Sequence, residues 1–323
     1  MSGWSGDGLP PAAEARLARA RSSGVRSSLL AVAGQVGLDA CGFEAVGEVM
    51  GCIVQHIGWQ GYGGCGWYPG IYGWSSGGTI TSGGGRQGWA GFRPLVDALY
   101  HGWDTAVGRM LLEARQIGAD GVVGLRLTES HLGEGNREFL ALGTAVRATS
   151  GPHLARPFST TLAGQDVAKL LHRGWAPAAV LVAVSVSIRH DDYYTRSAAR
   201  TWSGNVEVPG YTELVQDTRA DARNELARRV AMVGAEGAVL AEPVRLEIHE
   251  MEVAEGHSDH VGLARILADS IVRWRRDEAG EHAGGAGRAR HGAGLVVPGL
   301  GGMQMVLPLS GVAPGRAARR ARA

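Results

Sequence analysis

The fold is decided by one stretch and its echo: Arg109-Met-Leu-Leu-Glu-Ala-Arg-Gln-Ile-Gly-Ala-Asp-Gly-Val-Val-Gly-Leu125 recurs as Glu225-Leu-Ala-Arg-Arg-Val-Ala-Met-Val-Gly-Ala-Glu-Gly-Ala-Val-Leu-Ala241. Each reads as a helix running into Gly-Ala-acid-Gly and then a buried strand. An offset of 116 residues carries Leu95, Leu99, Ala106, Met110, Ala114 and Ile117 onto Tyr211, Val215, Ala222, Leu226, Val230 and Val233. These positions follow a 3.6-residue period, so the apolar faces of the two helices coincide. Gly118 and Gly234 stand where a left-handed C-cap belongs. Asp120 is expected to cap the turn and face solvent, and Gly121 to lie where the next strand passes close to a neighbouring backbone. Gly234, Glu236 and Gly237 repeat the same turn.

Working outward, Gly42–Val54 and Gly174–Val186 are Val- and Ile-rich strands related by an offset of 132, with Ser27–Ala31 and Ser159–Ala163 ahead of them. The spacing predicts helices over 92–117 and 211–233, then strands over 122–128 and 238–246. Closing strands follow at 138–148 and 261–274, with Leu142–Arg147 set against Ala268–Arg273. The expected fold class is α+β: two tandem β-α-β-β units, each one helix on a three-stranded antiparallel sheet. The expected organisation is a flexible arm over 1–26 and a first unit over 27–149 with an insertion at 57–91. A second, diverged unit spans 150–276, and a Gly-, Ala- and Arg-rich tail spans 277–323. The insertion has 14 glycines among 35 residues, interleaved with Trp59, Trp67, Trp74 and Trp89. One helix covers only one face of a small sheet and leaves strand edges unpaired, which favours pairing or ring closure.

Composition narrows the function. The chain has 323 residues, 45% hydrophobic and 20% charged, with a formal net charge of +1. That is an ordinary globular balance and argues against a nucleic-acid footprint over the whole surface. Only the tail Arg316–Arg322 is basic enough to touch nucleic acid, and solvation is its simpler reading. Cys41, Cys52 and Cys65 are odd in number and form no CxxC pair, so no disulfide framework is expected. No apolar h-region opens the chain and no run reaches the ~20 residues of a membrane span. A cytoplasmic protein with no membrane partner is expected.

Three segments carry a resemblance: Gly42-Phe-Glu-Ala-Val-Gly-Glu-Val-Met-Gly51, Ala114-Arg-Gln-Ile-Gly-Ala-Asp-Gly-Val-Val-Gly-Leu-Arg126 and Gly143-Thr-Ala-Val146. Together they resemble the YbjQ-like family, which carries a heavy-metal-binding label. The match covers about 40–148 apart from the insertion. Residues 158–274 depart from it, Leu240 standing for Gly124. The resemblance implies a dodecin-like subunit that assembles into pentameric rings, with no established catalytic activity. The partner it implies is a second copy of the chain.

The residues themselves offer little chemistry. Soft-metal sites need thiolates or imidazoles that converge. Cys41 and Cys52 sit at opposite ends of one strand, so ring symmetry would be needed to gather copies of Cys52 or Cys65. His249, His257, Asp259 and His260 lie around the expected turn between two strands, and His257-Ser-Asp-His260 offers His257 and His260 as ligands. A metal ion is therefore the one cofactor class considered, at Cys52, Cys65, His257 and His260. The Gly-rich runs lack the Lys-Ser/Thr of a phosphate-binding loop. The insertion's aromatics could stack on a small aromatic ligand, although packing or assembly is the plainer use. No Gly-x-Ser-x-Gly elbow is present, and no catalytic residue is assigned. The expectation is a non-enzymatic oligomer; a metal or small-molecule carrier and an uncharacterised enzyme are the alternatives.

Overall fold

The computed structural model describes residues 4, 6, 8–24, 27–58, 78–82, 92–200, 204–254, 257–276, 294–296 and 303–306. Cys65, most of the insertion and most of the tail lie outside them.

The chain is α+β. A first helix, α1 (Pro11–Ser23), precedes a short helix α2 (Val32–Ala40) and a long strand β1 (Phe43–His56). After β2 (Thr79–Thr81) come helix α3 (Arg93–Gln116) and strands β3 (Gly121–His131) and β4 (Asn136–Ala148). The second half runs β5 (Phe158–Ser159), α4 (Gly164–His172), β6 (Trp175–His190), α5 (Tyr193–Ala199) and α6 (Pro209–Met232). It closes with β7 (Gly237–Leu240), β8 (Arg245–Ala254) and β9 (His257–Arg273). Strand β10 (Arg275–Arg276) pairs with β12 (Met303–Val306), which also pairs β11 (Gly294–Val296).

The sequence period locates α3 and α6 to within two residues, but the sheets are larger than three strands. The first is ordered β1-β4-β3-β5 and the second β2-β6-β9-β7, with β8 also on β9. The extra strands are exchanged. β5, from beyond residue 150, joins the first sheet, and β2, from the insertion, joins the second. Helices α2 and α4 leave little trace in the sequence, because Gly34, Gly37 and Gly164 weaken the helical signal. Those glycines are needed where the two helices touch: a Cβ on Gly164 would lie 2.3 Å from the Gly34 carbonyl oxygen.

Local geometry repeats between the halves. Gly42 and Gly174, 132 residues apart, have φ of 77° and 78°, and β-bulges follow at Ala45/Gly47 and Pro177/Ala179. Both long helices end in a Schellman motif. Gly118, at φ 71°, donates to Arg115 and Ala119 donates to Ala114; Gly234, at φ 69°, donates to Ala231 and Ala235 to Val230. Gly118→Val is therefore expected to cost on the order of 1–2 kcal/mol through the Cβ penalty at positive φ, read as a lower urea midpoint. A variant with the wild-type midpoint contradicts this.

The repeats also correct the pairing of the closing strands. Thr149 donates to the Gly42 carbonyl and Trp274 to that of Gly174, so β4 and β9 correspond at an offset of 125. Setting Leu142 against Ala268 is thus one residue out, and a one-residue slip swaps the faces of a strand. In the structural register Thr144 corresponds to Asp269. Each accepts from the segment ahead of its unit's short helix: Leu29 N–H to Thr144 Oγ1 at 3.0 Å, Thr161 N–H to Asp269 Oδ1 at 2.6 Å.

The arm is not free. Leu17 of α1 is buried, and Arg16 pairs with the fully buried Glu113 of α3. Trp4 stacks on the Arg109 guanidinium, 4.6 Å from its ring centroid.

Candidate functional site

Asp120 does not face solvent. It is fully buried at the start of β3, where its carboxylate accepts from Ala148 N–H at 2.9 Å and Leu154 N–H at 2.7 Å. His153 Nδ1 lies 3.0 Å away. Glu236, its counterpart, accepts from Arg273 N–H at 3.2 Å. The acid is a latch between the turn and the end of the closing strand, a structural role. Gly121 meets a ring and not a backbone: a Cβ there would lie 2.2 Å from the Phe158 side chain, whereas Gly237 has ordinary room.

Of the proposed metal residues only Cys52 and His260 have described side chains, and they lie on different sheets, in β1 and β9. Cys52 is half-buried in β1, its carbonyl accepting from Arg109 at 2.6 Å. Cys65 lies outside the described residues, as does the side chain of His257. As expected of residues around a turn, the segment 257–260 lies next to the connection from β8 and opens β9, where residues three apart fall on opposite faces. Among the described residues no three His, Cys, Asp or Glu side chains are placed to hold a metal ion. Among the described residues the heavy-metal label thus finds no fitting cage.

What the strand does create is a pair of imidazole–carboxylate contacts. His190 Nδ1 lies 2.6 Å from Asp259, and His260 Nδ1 lies 3.1 Å from Asp191, which also accepts from Tyr211 at 3.1 Å. Beside them Arg189 reaches Glu213 at 2.5 Å and Asp192 at 3.3 Å. Burial pushes the Asp259 carboxyl up to about 6, against a smaller downward pull from His260, and raises the Tyr211 hydroxyl to about 12. Between the ordinary carboxylate range and that raised value the folded state holds more proton at Asp259 than the unfolded chain does. This group's contribution to stability therefore falls as pH rises through that window, because the unfolded chain is the first to ionise. Asp259→Asn is expected to flatten the dependence of the urea midpoint on pH there; an unchanged slope contradicts this.

The contact between the halves is more extensive. Val182 and Val184 of β6 join Leu99 and Trp103 of α3 in one core, with Leu263 and Leu267 against it. Tyr100 of α3 inserts at the β6 edge, its hydroxyl 3.0 Å from Val184 N and 3.2 Å from Val184 O. Residues 181–189 of β6 are buried without a break. The corresponding part of β1 alternates between buried and half-exposed, leaving Glu48, Met50 and Cys52 accessible. Thus α3 covers the second face of the second sheet around Val182 and Val184, whereas α2 covers that of the first only at its Phe43 end and the equivalent positions Met50 and Cys52 stay half-exposed. The sequence does not display this asymmetry because it lies in contacts between halves, although β6's unbroken apolar run is a signal of it.

No described helix is long and apolar enough to cross a membrane. Among known proteins, residues 87–149 match the model of a family described as "Putative heavy-metal-binding". The encapsulin nanocompartment protein Rv1762c of Mycobacterium tuberculosis is 32% identical over 241 residues, 72% of this chain and 81% of that protein. The UPF0145 protein VP1283 of Vibrio parahaemolyticus is 39% identical over 71 residues, 20% of this chain and 68% of its own. A UPF0145 protein of Halorubrum lacusprofundi is 50% identical over 44 residues, 14% of this chain and 42% of its own. No solved structure matches.

Proposed function

The chain belongs to the YbjQ-like family, and from that premise we propose that it is a non-enzymatic assembly protein. Its two halves act as copies of one unit and join head to tail into a ring. The observation that carries this is the asymmetry of cover: Val182 and Val184 of β6 are buried because α3 of the preceding half packs on them, while the equivalent β1 positions Met50 and Cys52 stay half-exposed. Heterologous contacts of this kind close into rings or run on as filaments. Five chains would supply ten units, as one ring of alternating halves or as two stacked rings of five. The name of the mycobacterial relative, an encapsulin nanocompartment protein, is consistent with a role in a larger assembly. A cytoplasmic location fits that role.

Light scattering tests the reading. Particles of several chains are expected at micromolar concentration, and a clean monomer of 33.8 kDa overturns it. A carrier of metal or of a small aromatic ligand is the competing role. It would need ligands gathered from neighbouring copies, such as Cys52. Elemental analysis of the purified protein discriminates: stoichiometric metal that is lost in Cys52→Ala or His260→Ala would favour the carrier.

A further inference from the structure

The two halves of the chain already display one junction, and both surfaces needed to build a second are open. In the displayed junction, residues 158–162 lie along β3 as a short parallel strand. Phe158 N–H donates to Asp120 O at 3.0 Å, Thr160 N–H to Val122 O at 2.9 Å, and Gly124 N–H to Leu162 O at 2.9 Å. The register sets Val122 opposite Ser159.

The first half carries the same donor segment, Ser27–Ala31, in the same local conformation. Leu30 N–H turns back to Ser28 Oγ at 3.1 Å, as Leu162 N–H does to Thr160 Oγ1 at 3.1 Å. Leu29 and Thr161 are tied to corresponding residues, Thr144 and Asp269. Ala31 and Ala163 then open their helices at φ −67°, ψ 160° and φ −68°, ψ 157°. The segment is fixed before any partner arrives, so little ordering entropy opposes pairing. Ser27 and Ser28 are exposed, and Val32 just beyond them is 81% exposed.

The acceptor edge is equally bare. β7, the counterpart of β3, ends the path of the second sheet. Leu240 is 51% exposed, while Val122 and Val123 of β3 lie buried under β5 and its neighbours. A bare edge strand is a template for adding another strand. The chain's own Ser27–Ala31 does not serve, since its bond to Thr144 and the packing of Leu30 beside Val123 and Phe158 hold it on the first sheet.

We propose that Ser27–Ala31 of one chain adds as a short parallel strand to β7 of the next, with Ser27 opposite Ala238. This deepens the assembly reading and rests on it. Repeating the internal register directs Ser28 N–H to the Ala238 carbonyl. The new junction is shorter than the internal one at its far end. Leu125 N–H donates to Thr160 O at 3.0 Å, whereas Ala241 N–H is committed to Leu267 O at 2.9 Å.

The test joins cross-linking to mass measurement on the full chain. Neighbouring residues on paired strands lie within reach of a disulfide. The doubly substituted chain Ser27→Cys/Ala238→Cys is expected to give a ladder of covalent oligomers under oxidation. Ser27→Cys or Ala238→Cys alone should give only what Cys41, Cys52 and Cys65 give in the parent. Ser28→Pro removes the N–H donor, together with the hydroxyl that Leu30 N–H meets, and is expected to shift the assembly toward monomer at least tenfold in midpoint concentration, with an unchanged circular dichroism spectrum. Particles of several chains with no ladder, or with Ser28→Pro assembling as the parent does, overturn this junction and leave the assembly reading standing. A parent protein that is monomeric by light scattering, with no ladder from the doubly substituted chain, overturns both.

Discussion

Gly51→Val is expected to lower the free energy of unfolding by about 3 kcal/mol or more, the upper range for overpacking a well-packed core. Gly51 lies in β1 where α3 crosses it. A Cβ there would be 2.0 Å from the Ala106 carbonyl oxygen and 2.5 Å from the Met110 nitrogen. Both are backbone atoms of the helix, so no side chain can move aside. The helix would have to retreat, pulling buried Met110 and Trp103 away from Phe139, whose ring meets that of Trp103 at a centroid distance of 4.9 Å. The counterpart of Gly51 in β6 is Ala183, which already carries a Cβ beneath α6. Ala183→Gly should cost only about 1 kcal/mol. Urea unfolding of the two variants checks the contrast; a Gly51→Val protein as stable as Ala183→Gly contradicts it.

Asp120→Ala is the second large effect expected, about 3 kcal/mol. It strands two backbone donors, Ala148 and Leu154, that the carboxylate accepts from in a fully buried position. Each buried donor left without an acceptor costs on the order of 1–3 kcal/mol. Asp120→Asn should also destabilise, by about 2 kcal/mol, because an amide keeps one good acceptor and turns its NH2 toward the other donor. Glu236→Gln, at the more accessible latch of the second half, should change little. A wild-type urea midpoint for Asp120→Asn contradicts the latch.

The long helices, their glycine caps and the main strands are legible in the sequence, because each leaves a local period or a positional residue type. The role of Asp120 is not. An acid between two glycines looks like a solvated turn until the chain at Ala148–Leu154 wraps over it. Glu113 likewise reads as one helix carboxylate among others. Only the approach of Arg16 and the Met50 N–H, 2.8 Å from Glu113 Oε2, makes it a buried anchor. Helices α2 and α4 are hidden by glycines whose purpose is interhelical contact. The sequence alignment of β9 on β4 slips by one residue because Val recurs at Val146 and Val272, while the backbone bonds of Thr149 and Trp274 fix a different register. His260 reads as one polar residue beside a turn between strands, and only the pairing of β9 with β6 sets it against Asp191.

The central claim is that the halves of this chain are equivalent units whose open surfaces are satisfied by further copies, head to tail. Native mass spectrometry of the purified full-length chain tests it most directly. The expected result is a closed particle of five chains, each of 33.8 kDa. A monomer, or a dimer that grows no further with concentration, would contradict the claim, since a two-chain particle closed by a symmetric contact uses no head-to-tail junction.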